Sequence, residues 1–140
     1  MKALTICQPY AELIARGLKP IENRTWPTSF RGLLFIHAGK SREWMDEDDM
    51  DAYPNMAFGA LVATVRLHDC VRVEKLPMEL QHNEHANGPW CWILRDVNRI
   101  TPIPWRGAQG LWDFPNSVAL TAMSDALRGD RGARCGDVGL

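Results

Sequence analysis

At 140 residues and 15.8 kDa the chain has room for one domain, with a core that needs neither disulfide staples nor a structural metal. Its 46% hydrophobic and 24% charged residues place it among ordinary soluble globular proteins, and a net charge of −1 excludes a domain built mainly as a sponge for polyanions. The charge is uneven: Glu43, Asp46, Glu47, Asp48, Asp49 and Asp51 gather six acids in one short segment, so the remainder is net basic and able to offer phosphate a mildly positive face.

In chain order, Lys2 to Cys7 reads as a short strand, and Pro9 stands where a first-turn proline pre-sets helical φ. Tyr10, Leu13, Ile14 and Gly17 follow at i, i+3, i+4 and i+7, the stripe of a short helix with one buried face, closed by Gly17. An extended segment runs through Trp26, and Pro27-Thr28-Ser29 turns the chain into Arg31 to His37, an apolar run short enough for a buried strand. Ser41 is placed to cap the acidic helix that comes next, with Glu43 near its positive end. Gly59 to Val73, rich in Val, Leu and Thr, is the longest strand-like stretch. Pro89 to Leu94 and Ile100 to Ile103 add two strands separated by a polar turn, Arg95 to Arg99. A last helix begins at Asn116 or Ser117 and carries Val118, Leu120, Met123 and Leu127 before Gly129 stops it. Residues 1–128 therefore form a single domain, and residues 129–140, dominated by Gly, Arg and Asp, a flexible C-terminal tail. The succession of strands with inserted helices predicts a small α+β domain around a curved or closed sheet.

Several function classes drop out. Cys7, Cys70, Cys91 and Cys135 are scattered without a C-x-x-C pair, so no zinc knuckle and no redox dithiol is indicated, and reduced thiols imply the cytosol. His82 and His85 stand three apart but on a loop, and two ligands make no metal site. No secretory signal opens the sequence and no apolar run approaches membrane-spanning length, so a cytoplasmic protein with no membrane partner and no cofactor is expected. Gly39-Lys40-Ser41 imitates the end of a phosphate loop, but the upstream glycine, Gly32, lies too far back.

Chemistry concentrates after the first helix, in Gly17 to Trp26. If that stretch is extended, Glu22, Arg24 and Trp26 share one face while Ile21, Asn23 and Thr25 share the other. Acid, base and indole then lie together. Exposed Glu–Arg pairs are common and of little consequence alone, so the context decides.

That context is a succession of motifs: Gln8-Pro9-Tyr10; Gly17-x-Lys19-x-x-Glu22-x-Arg24-x-Trp26; Arg31-Gly32-x-Leu34-x-Ile36-His37-Ala38-x-Lys40; and Arg106-Gly107-x-Gln109-Gly110-Leu111-Trp112. Together they resemble the ASCH domain family, whose members share the PUA-like fold, over residues 4 to about 112. The resemblance implies a PUA-like β-barrel or curved mixed sheet with flanking helices, and a cleft beside the first helix, in a superfamily that handles RNA or modified nucleotides. Its members include coactivator-associated domains, a ribonuclease and a small amidohydrolase acting on acetylated cytidine.

A nucleic-acid cleft needs cations for phosphate, flat groups for stacking, and amides or carboxylates to read base edges. Lys19, Arg24, Arg31, Lys40 and Arg106 supply the first; Trp26, Trp105 and Trp112 the second; Gln8, Glu22, Asn23 and Gln109 the third. Trp90 and Trp92, embedded in an apolar strand, read as core, whereas Trp26 and Trp112 fit either role. Stacking contributes about 1–3 kcal/mol per base, so one platform with two phosphate contacts makes a weak, salt-sensitive binder of single-stranded RNA or DNA, or of a modified base. The alternative is a hydrolase, a ribonuclease or an amidohydrolase, using Lys19 and Glu22 as the catalytic pair with help from His37. In the resemblance Lys19 matches the lysine that the amidohydrolase branch uses. Glu22, however, stands where that branch has its threonine nucleophile, and the branch's further glutamate falls at Glu84. His37 also belongs to the candidate nucleic-acid-binding set, and on its apolar strand it fits a structural histidine as well. A protein-interaction adaptor contacting partners through Glu43 to Asp51 is the third reading, although such charge runs are usually solvated faces.

Overall fold

A computed structural model describes residues 1–124. Five strands of the sheet are long enough to set its shape: β1 (Lys2–Ile6), β2 (Ile21–Arg24), β3 (Gly32–Ala38), β4 (Ala60–Arg72) and β5 (Trp90–Pro104); β6 (Leu111–Asp113) is a short edge. Their order is β2-β5-β4-β3-β1-β6, with β1 parallel to β3 and every other pairing antiparallel. The central strands run as continuous apolar sequence because both faces are covered. Leu34, Ile36 and Ala38 of β3 point into one core with Leu4, Ile6 and Trp92, while the intervening Phe35 points into another with Ala3, Leu61 and Phe114. Helix α1 (Tyr10–Ala15) covers the first core with Ala11, Ile14 and Ala15, and helical residues 116–124 cover the second with Ala119 and Ala122. Phe35, fully buried, meets Phe114 edge-on at 4.9 Å; burial of a side chain that size is worth about 1.5–3 kcal/mol.

The α+β curved sheet with flanking helices is the fold expected from the sequence. Four local readings change. The polar stretch Arg95 to Arg99 is no turn but the middle of β5, whose 15 residues stay paired with β4 through bulges. Thr64 faces Asn98 and Arg66 faces Arg95, so β5 accommodates an extra residue there, with Asp96 at φ 52. Ser41 accepts only from Glu43 N in the preceding turn; Asp46 caps α2 (Glu47–Ala52) in a reciprocal capping box with Asp49. On α1, Tyr10 does not join the buried stripe, since Ala11 and Ala15 take that face and leave the phenol 37% exposed. Finally, Asn116 does not cap the last helix, because its side chain accepts from the Met1 ammonium. Gly17, at φ +75, does end the α1 segment, in a conformation that costs a glycine nothing. The stop at Gly129, the domain boundary at 128 and the tail 129–140 lie outside the described residues. No described helix is long and apolar enough to cross a membrane.

Candidate functional site

The two ends of the sheet order, β2 on one side and β1 with β6 on the other, curl toward each other without pairing. A side chain crosses the gap instead: Arg24 Nη2 on β2 donates to the Thr5 carbonyl of β1 at 2.9 Å and to Glu22 Oε2 at 3.1 Å. Strand alternation puts Glu22 and Arg24 on this face. Lys19, released from α1 by Gly17, donates through Nζ to the Ile21 carbonyl and to Glu22 Oε1, the latter at 3.2 Å. Lys19 and Glu22 are 4% and 8% exposed, so their charges depend on this pairing, and one carboxylate serves two cations. The cluster carries a surplus positive charge.

Beside it opens a hollow of about 390 Å³, lined also by Tyr10, Trp44, His85 and Asn87. Tyr10 also lies over the Lys19 ammonium, 5.8 Å from ring centre to Nζ. The loop bearing His85 and Asn87 is held by Asn23, which stands between Glu22 and Arg24 on β2 and also lines the hollow. Its Nδ2 donates to the His85 carbonyl at 2.8 Å, and its Oδ1 accepts from Asn87 N at 3.0 Å and Gly88 N at 2.8 Å. Burial and the Lys19 charge both push the His85 imidazole below its ordinary pKa.

Across Arg24 lies a second hollow, of about 440 Å³, bounded by Trp26, Gln109 and Gly110. A third, of about 300 Å³, is lined by His37, Lys40, Trp105, Arg106 and Gly107. All three meet at Thr5, and Arg24 belongs to two. Thr5 is itself fixed: Trp112 Nε1 donates to its Oγ1 at 3.1 Å, and His37 Nδ1 lies 3.2 Å away. Because His37 Nε2 sits 2.6 Å from the Trp105 carbonyl, which can only accept, the imidazole is protonated there and Nδ1 accepts from the Thr5 hydroxyl. Burial lowers the His37 pKa despite that carbonyl. Gly107 is required at this point, since a Cβ would fall 2.7 Å from both Thr5 Oγ1 and His37 Cε1.

Of the site residues named from sequence, Lys19, Glu22, Asn23 and Arg24 line the first hollow, Trp26 and Gln109 the second, and His37, Lys40 and Arg106 the third. The others have different places, and Asn23 and His37 have further ties. Gln8 is wholly buried and spends its amide on the Ala57 carbonyl and Glu12 N, so it is a tie between α1 and the loop before β4. Arg31 lies at the far end of β3, bound to the Thr28 and Phe30 carbonyls and to Asp69. Asn23 lines the first hollow, but its Oδ1 and one Nδ2 hydrogen are taken by the loop that carries His85 and Asn87. Trp112, 9% exposed, packs in the second core and orients Thr5, so it offers no stacking face. His37, 2% exposed, orients Thr5 from behind. Glu84 is exposed and pairs with His85 rather than facing Lys19. Thr5, Tyr10, Trp44, His85 and Asn87 line the hollows without having been marked as site residues by the sequence. Among the described residues no group of three or more His, Cys, Asp or Glu is placed to hold a metal, and Cys7, Cys70 and Cys91 are free thiols.

The curled six-stranded sheet is an α+β fold already known from crystal structures. The ASCH protein of Zymomonas mobilis has this fold, with a TM-score of 0.56 at 15% identity over 88% of this chain and 93% of that one; a point mutant of the same Zymomonas mobilis protein gives 0.56 at 16% over 88% and 96%. The family model of the ASCH domain matches residues 4–104, and the chain belongs to that family. Activating signal cointegrator 1 of Homo sapiens and of Mus musculus are each 25% identical to it over 130 residues, covering 82% of this chain. The chain spans 22% of the length of these curated relatives.

Proposed function

We propose that this domain binds single-stranded RNA or single-stranded DNA across the hollows that meet at Thr5. The observation that carries the reading is that convergence: groups from β1, β2, α1 and the loop after β5 line three hollows that share Thr5, two of which also share Arg24. Lys40 and Arg106 form no ion pair among the described residues, so they are free to meet phosphate. Tyr10, Trp44 and Trp26 offer flat faces, and the side-chain amides of Asn87 and Gln109, which bond to no other described residue, offer edge contacts. Fluorescent single strands titrated at two salt concentrations test the reading. Two or three phosphate contacts give about a tenfold loss of affinity between about 50 and 200 mM salt, and Lys40→Ala or Arg106→Ala each lowers the salt slope by about 0.7. No saturable binding at low salt would overturn it.

Hydrolysis through Lys19 and Glu22 is the second reading, favoured by their contact in the wall of the first hollow. Both groups are nevertheless spent on each other, on Arg24 and on backbone, an arrangement suited to holding charge rather than to moving protons. Turnover of RNA or of acetylated cytidine by the wild type, lost in Lys19→Ala, would select this reading.

A further inference from the structure

We infer that the smallest ligand filling this site is a two-nucleotide step of an unpaired strand, with one base between Tyr10 and Trp44, the next against Trp26, and the linking phosphate on Arg24. The inference rests on the strand-binding reading and narrows it to a ligand class.

Arg24 is the wall that the first two hollows share. Its Nη2 is committed to Thr5 and Glu22, while Nη1 and Nε bond to no other described residue. Glu22 is divided between Arg24 and Lys19, so the guanidinium keeps uncompensated charge where the two hollows join. An anion is therefore favoured on the ridge and an aromatic face stands on each flank: Tyr10 and Trp44, 37% and 60% exposed, on one side, and half-buried Trp26 on the other. Trp26 packs against the first core at right angles to Trp92, 4.8 Å between ring centres, which fixes its plane. Each hollow, at about 390 and 440 Å³, is at the small end of ligand sites and suits one base rather than a stacked pair. A free nucleoside would occupy one hollow and leave the guanidinium with only its share of Glu22. A duplex cannot splay adjacent bases to either side of a ridge.

The test compares a nucleoside 5′-monophosphate, a dinucleoside monophosphate, a tetranucleotide and a blunt duplex by calorimetry and by the indole N–H signals of the wild-type protein. The dinucleoside monophosphate is expected to bind on the order of tenfold tighter than the mononucleotide, despite its lower charge, because it stacks a second base. The mononucleotide is expected to shift the Trp44 signal, and the dinucleoside both Trp44 and Trp26. Trp26→Leu should erase the gain from the second base. Equal affinity for the two short ligands, or a Trp26 signal unmoved by the dinucleoside, would overturn the inference and leave strand binding standing; tightest binding to the duplex would overturn both. Failure of all four ligands to bind would remove the strand-binding reading and this inference with it.

Discussion

Replacing Glu22 by glutamine takes away the carboxylate that Lys19 and Arg24 share while leaving both cations where they are, one of them almost fully buried. Stranding buried charge is costlier than removing a whole pair, so Glu22→Gln is expected to destabilise the domain by about 3–5 kcal/mol, read as a lower urea midpoint. Lys19→Met removes a cation and leaves Glu22 paired with Arg24, and is expected to cost distinctly less. The spacing of this trio was legible in the sequence, because strand periodicity alone places Glu22 beside Arg24. The Thr5–His37 contact was not: it arises from the parallel register of β1 and β3, across 32 residues of chain, which no local pattern announces. Tyr10 fitted a helical stripe by spacing and left it only because two alanines allow α1 to pack more closely.

At the scale of elements, Asn23 couples β2 to the loop before β5. Its side chain takes two backbone donors and supplies one, so Asn23→Ala leaves part-buried polar groups unmatched at about 1–3 kcal/mol. The expected outcome is a loss of about 2 kcal/mol in denaturant unfolding, with faster amide exchange at Asn87 and Gly88. A sequence reader sees Asn23 as a polar residue among charged neighbours and assigns it to a ligand; the loop it holds is more than sixty residues away. β5 misleads in the opposite way. Arg95, Asp96, Asn98 and Arg99 have the composition of a turn, yet they are the solvent-facing part of a ribbon whose backbone pairing with β4 continues through bulges. Composition reports exposure there, not the end of a strand.

For the whole molecule, the shifted groups that titrate below neutral pH lean one way. Burial depresses His37 and His85, so both are held neutral in the fold. The unfolded chain binds those protons first as pH falls past the ordinary imidazole value; their contribution is complete above it and is lost as pH drops toward the lowered folded values. Burial would raise Glu12, but Arg99 and Arg16 outweigh it and hold the carboxyl below its usual range, so its contribution persists above that range and fades as pH falls through the lowered value. Stability is therefore expected to decline from neutral pH downward in two stages, and urea midpoints from pH 8 to 4 check it: His85→Gln should flatten the upper stage and Glu12→Gln the lower.

Where β2 and β1 approach, the wall is fastened by one guanidinium instead of a ladder of peptide groups. Swinging that side chain aside breaks a few contacts and leaves every strand pairing whole. Opening of the cleft at this edge therefore costs the Thr5 and Glu22 contacts of one side chain, and no strand pairing.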